Sequence, residues 1–167
     1  MNLNLSLGFD VGCGKAGVPS KASFTAAFEN AINAGMGAQK RRMGGKNGLA
    51  SIEWGLSLQI VEQDAGLALN QRYRQKAYAT NVLAFPADAL AQKQGWLGDV
   101  VICKPVIEQE AIAQNKRLKS HYLHMSVHAG LHLLGFDHLN DADASAMEAL
   151  EAEVLLGMGI ANPYWVI

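Results

Sequence analysis

His128, His132 and His138 are three of five histidines in a chain of 167 residues, and all lie in one short stretch, HAGLHLLGFDH, residues 128–138. Their spacing suits metal chemistry. On a helix, positions 128 and 132 are one turn apart, so both rings project from the same face and reach one ion. A third ligand further along that helix would sit badly for tetrahedral geometry, so the chain must turn. Gly135 can adopt the left-handed conformation that ends a helix, which brings back His138. Three neutral imidazoles leave a fourth position open for water, the pattern of a catalytic rather than a closed structural zinc. We therefore expect one Zn²⁺ per chain, although imidazole also suits Ni, Cu and Fe.

His124 and His128 form a second pair at the same spacing. Only the later trio accounts for the glycine at the bend, so it is preferred. Asp137 precedes the last histidine. It is a candidate for orienting a ligand ring from behind, and equally a local turn residue. The spacing also resembles the metalloprotease pattern H-E-x-x-H-x-x-G-x-x-H. There a glutamate follows the first histidine; here Ala129 does. The hydrolytic chemistry must do without that carboxylate.

The elements that position these residues read as a mixed α+β chain. Residues 2–9 alternate apolar and polar, a strand signal, and 51–61, 81–85 and 97–103 read as three more strands. Helices are expected at 22–34, 63–74, 106–117, 119–134 and 141–156, the first broken by Gly35 and Gly37. A basic, glycine-rich loop, QKRRMGGKNG, should follow at 39–48. The predicted fold is a mixed sheet of about four strands against helices, in a single domain over 1–167, with the histidines on a helix–turn. VGCGKAG at 11–17 fails as a phosphate loop. Phe9 stands where its first glycine belongs, and Ala16 where Ser or Thr must follow the lysine.

Composition agrees. Half the residues are hydrophobic and 17% are charged, which excludes a disordered chain. No apolar run reaches the length of a membrane span, and the first residues lack the pattern of a signal peptide. Two cysteines give no disulfide framework, so a cytoplasmic protein with reduced thiols is expected. All 14 Lys and Arg lie in residues 1–119, with nine acids, whereas residues 120–167 carry six acids and no Lys or Arg. A polyanion would meet the first part, unless the charges intermix on the folded surface.

HAGLHLLGFDH resembles the H-G-x-L-H-L-x-G-Y-D-H signature of the YbeY endoribonucleases. LNQRYRQKAYATNVLAFP, 69–86, is similar to that family's L-N-x-x-Y-R-x-K-x-x-P-T-D-V-L-S-F-P, and LGDVVI, 97–102, to its L-G-D-I-x-I. The likeness covers roughly residues 50–163. Ala79, Asn81, Ala84, Ala129 and Phe136 depart from it. Neither Ala129 nor the glycine it replaces carries a carboxylate, and Phe136 lacks the tyrosine hydroxyl.

The resemblance implies a cytoplasmic, metal-dependent endoribonuclease that cuts single-stranded RNA in ribosomal RNA maturation and small-subunit quality control. Its partners would be single-stranded RNA, ribosomal RNA and the small ribosomal subunit, with no membrane and no DNA. The chemistry is compatible. Zinc lowers the pKa of its bound water to about 7, and the ribose 2′-OH is itself a nucleophile, so the missing glutamate matters less than in peptide hydrolysis. The resemblance also puts a functional arginine at Arg74, whose guanidinium fork suits phosphate oxygens. Arg72 and Lys76 would hold neighbouring phosphates; Lys40, Arg41, Arg42 and Lys46 could contact RNA further off, although a solvated loop is the favoured reading of that run. Two rivals are a metalloprotease, which Ala129 disfavours, and a non-catalytic ribosome-assembly factor stabilised by zinc.

Overall fold

The computed structural model describes residues 3–42 and 53–165. Strand β1 (Leu5–Val11) turns Leu5 and Leu7 inward and Ser6 and Gly8 outward, as its alternation requires. β2 (Trp54–Val61) buries Trp54, Leu56, Leu58 and Ile60 in the same way. β3 (Val82–Pro86) and β4 (Trp96–Cys103) complete a sheet of order β1-β2-β4-β3. β1, β2 and β4 are parallel; β3 runs antiparallel to β4, with Ala84 opposite Val100 and Pro86 opposite Gly98. This is the expected α+β architecture. Val100, Val101, Ile102 and Cys103 are all buried. Four consecutive buried strand residues mean that both sheet faces are covered there.

Most of the helical part of the main core comes from α1 (Lys21–Arg42), α5 (Leu118–Leu133) and α6 (Asp141–Gly157). α2 (Gln63–Arg74) lies against β4, where Gly66 passes close to Cys103. α4 (Lys104–Ala113) packs on α5, and a short α3 (Ala89–Lys93), absent from the sequence reading, is capped by Asp88, which accepts the Ala91 N–H at 2.8 Å.

The first helix corrects one expectation. α1 does not break at Gly35 and Gly37 but continues to Arg42. A helical glycine costs about 1 kcal/mol relative to alanine, less than burial of one large side chain returns. Gly35 sits where α1 crosses α5, and a Cβ there would lie 2.6 Å from Leu134 and 3.1 Å from Leu131. The glycine is a point of close helix contact, not a stop. Lys40, Arg41 and Arg42 consequently occupy the last helical turn, where cations favour the helix dipole. Residues 43–48 of the expected basic loop, Lys46 included, lie outside the described residues. The helix expected over 106–117 ends at Ala113, because Asn115 takes a left-handed conformation with φ 51°.

α5 is the helix that carries the chemistry. Eleven of its sixteen residues are buried, so packing grips it nearly all round. Tyr122 stands edge-on to Phe24 of α1, with ring centroids 6.0 Å apart. The grip is what allows polar side chains on this helix to be held in fixed positions.

Candidate metal centre

The end of α5 is built as the turn requires. Gly135 has φ +89°. Its N–H donates to the His132 carbonyl at 2.9 Å, and the Phe136 N–H donates to the Leu131 carbonyl at 3.1 Å. These paired bonds form a Schellman ending, satisfying carbonyls that the last turn would otherwise leave open. Phe136, nearly buried, then packs beside Leu131 against Gly35. The chain comes back on itself within three residues and delivers His138.

The three rings converge. One ligand nitrogen from each of His128, His132 and His138 lies within 4.8 Å of the other two. The Nε2 atoms of His128 and His132 are 3.0 Å apart. Metal–nitrogen bonds of about 2.0–2.1 Å in a tetrahedron put neighbouring nitrogens a little over 3 Å apart, so the donor set fits one zinc-sized ion after small adjustment. The charge state fits too. Burial, then the neighbouring His128 and His138, lower the His132 pKa to about 4, leaving a neutral imidazole able to ligate. His138 is exposed, so the cluster has an open side.

A buried carboxylate stands behind the cluster. Glu151 of α6, 1% exposed, lies 2.5 Å from His128 Nδ1 through Oε1 and 3.0 Å from His124 Nε2 through Oε2. The Tyr164 hydroxyl also donates to Oε2. Burial pushes the Glu151 pKa up, but hydrogen bonds from His124, His128 and Tyr164 outweigh it and hold the pKa at about 2. An ionised carboxylate only accepts, so His128 carries its proton on Nδ1 and presents the Nε2 lone pair outward. The other oxygen of the same carboxylate takes up His124 Nε2. His124 is therefore not in the cluster, which separates the two histidine pairs that spacing alone left open.

Sequence reasoning missed Glu151. Its signal was present: Met147, Glu151 and Leu155 recur at four-residue spacing on the buried face of α6, and a carboxylate on an apolar stripe needs a partner. Asp137 behaves differently. Its Oδ1 accepts the backbone N–H of His138 at 2.7 Å, the geometry of a local turn. Further back, Glu110 of α4 meets His121 Nε2 at 2.7 Å and receives both Asn81 Nδ2 contacts, at 3.1 and 3.2 Å. Asn81 thus has a structural task that an aspartate could not perform, since two carboxylates would face each other.

Ala129 is 1% exposed and belongs to the hydrophobic core. The position that holds a catalytic glutamate in the protease pattern faces apolar packing in this chain.

The cations of α2 sit elsewhere in the chain. Arg74 donates from Nη2 to the Ala84 carbonyl of β3 at 3.3 Å. Arg72 lies over the Tyr73 ring, 5.3 Å from its centroid, and Lys76 is exposed just beyond the helix. β3 also packs against α5. At Gly98 a Cβ would lie 2.2 Å from the Phe85 carbonyl and 3.0 Å from Leu133. The residue after Ala84 and the residue after His132 therefore meet at one glycine. No direct contact joins Arg74 to the three histidines among the described residues.

A mixed α+β domain with three histidines converging at a helix–turn and a buried carboxylate behind them is compatible with a metal-binding protein. Residues 20–159 match the family described as Endoribonuclease YbeY. A Stenotrophomonas maltophilia protein of that name is 51% identical over 114 residues, 65% of this chain and 71% of that protein. Another, from Cellvibrio japonicus, is 49% identical over 110 residues, 65% of this chain and 62% of that one. A solution structure from Thermotoga maritima aligns over 92% of each chain with 20% identity and a TM-score of 0.48. The chain belongs to the endoribonuclease YbeY family.

Proposed function

We propose that this chain is a metal-dependent endoribonuclease that cuts single-stranded RNA, acting on ribosomal RNA in small-subunit maturation and quality control in the cytoplasm. The observation that carries the reading is the convergence of His128, His132 and His138 with Glu151 behind His128. A zinc ion held there would supply Lewis-acid polarisation of a phosphoryl oxygen and acidification of water.

The chain's own residues do the rest. Glu151 orients His128 and fixes its tautomer. His132, kept neutral by burial, stays available as a ligand. The open side at His138 admits a strand. Arg74 is the cation for the phosphodiester's developing charge, which a tris-histidine site with one divalent ion neutralises only in part. No Lys or Arg follows residue 119, so the second cation must come from earlier in the chain. Support for Arg74 is its anchor on β3, the strand that also contacts α5. Arg72 and Lys76 hold neighbouring phosphates, and Asp137 shapes the turn that delivers His138.

The test is cleavage of a single-stranded RNA by zinc-loaded protein, after chelation, and after zinc is restored, with a duplex RNA and casein in parallel. Loss and recovery of single-strand cleavage is the expected result. Unchanged cleavage without metal, or strong casein hydrolysis, overturns the reading.

A further inference from the structure

Two tyrosines near the end of α2 are half exposed: Tyr73 at 53% and Tyr78 at 58%. They alternate with cations. Residues 65–87 contain Arg72, Arg74 and Lys76 and no acid. Exposed aromatic rings gain nothing from water, and a surface kept only for solubility would be polar there.

The segment is also held in place. Asn70, 2% exposed, accepts the N–H of Gln75 and, at 3.4 Å, of Lys76 with its carbonyl. Its Nδ2 donates to the Tyr78 carbonyl at 2.6 Å. Gln75 takes a left-handed conformation, φ 56°, that turns the chain sharply after the helix. One buried asparagine thus ties both sides of the turn and fixes the backbone that carries the tyrosines. The Tyr73 ring packs against Phe85 of β3, centroids 5.1 Å apart and planes at 64°. Arg72 lies over the same ring, and Arg74 is tied to β3 next to Phe85.

A braced ring and a second exposed ring, interleaved with cations, match the chemistry of an unpaired nucleic-acid strand. Its unstacked bases are free to stack on aromatic faces while its phosphates meet the cations. A duplex offers phosphates but no free base faces. A protein surface docking by apolar contact would need a continuous apolar patch, and the cations interrupt this one.

We propose that Tyr73 and Tyr78 are a base-stacking platform that selects single-stranded over double-stranded RNA, with Arg72 and Lys76 holding the flanking phosphates. This rests on the endoribonuclease reading and adds to it the origin of strand selectivity.

The test is binding, not cleavage. Zinc-loaded protein is titrated into a fluorescein-labelled ten-nucleotide uridine strand with 2′-O-methyl riboses, and into a duplex RNA of the same length. Gels check that both stay intact. Tyr73→Leu keeps apolar packing on Phe85 but removes the aromatic face, as does Tyr78→Leu at the second site; Tyr73→Phe keeps the face. With zinc content and thermal midpoint unchanged, Tyr73→Leu should weaken single-strand binding at least about fivefold, Tyr78→Leu should weaken it too, and Tyr73→Phe should stay within about twofold. Duplex binding should not change. Leucine variants that bind the single strand like the parent, or lose equally on the duplex, overturn the platform. If the parent still binds and cuts single strands, the endoribonuclease reading survives that failure. A parent that binds no RNA ends both.

Discussion

Glu151 and His128 are joined by a 2.5 Å contact between Oε1 and Nδ1, and the carboxylate is buried on another helix than the one that carries the histidine. The relationship makes α6 part of the candidate metal centre. Removing a group of this kind behind a metal ligand costs 10–100-fold in metal affinity. Glu151→Gln keeps the shape and loses the charge. We expect zinc affinity, read by chelator competition, to fall about 10-fold or more. Parent-like affinity in both Glu151→Gln and Glu151→Ala would show that the contact does not orient the ligand.

His124 and His138 make opposite predictions. His138→Ala should lose zinc and keep the fold, since its ring is exposed. His124→Ala should keep measurable zinc but lower the thermal midpoint, because it strips a buried partner from Glu151. Elemental analysis of the two purified variants decides, and full zinc in His138→Ala would remove it from the ligand set.

Arg74→Ala should retain metal and fold and lose at least about 100-fold in RNA cleavage if it stabilises developing charge as an oxyanion-type donor does. Arg74→Lys should recover part of that, because a lysine restores charge without the fork. Single-turnover rates on a defined RNA measure this; a normal rate in Arg74→Ala would exclude the role.

Ala129→Glu recreates the protease pattern in sequence only. A carboxylate at this position enters the core, so the variant should lose about 2 kcal/mol or more of stability and gain no peptidase activity. Urea unfolding and a peptide-cleavage assay check both halves. A stable variant that hydrolyses peptides would mean the side chain reaches the metal after all.

Stability of the metal-free protein should fall with acid in two stages. His132 is depressed from 6.5 to about 4. The unfolded chain therefore takes up that proton first, and stability declines as pH drops from 6.5 toward 4. Glu151 is depressed from 4.5 to about 2. Its contribution is complete above pH 4.5 and disappears as pH falls through about 2, on the order of 3 kcal/mol. Urea midpoints in chelator from pH 7 to 3 follow both stages. A flat profile between 6.5 and 4 would contradict the His132 shift.

Much of this protein is written in local patterns. The strand alternations, α2, α5 and α6, the histidine trio and the Gly135 turn depend on residues within a few positions of each other, where helix and strand periodicity act directly. The family likeness lies in the same contiguous blocks. What sequence could not decide depends on neighbours far along the chain. Gly35 reads as a breaker until α5 is seen lying against it. Asp137 looks like the residue behind the ligands because it is adjacent, yet the carboxylate that reaches His128 is Glu151, 23 positions away. What holds His124 out of the cluster likewise turns on α6, because Glu151 occupies its Nε2. These outcomes are set by which helix faces meet across the core, and no short-range rule of spacing contains that information.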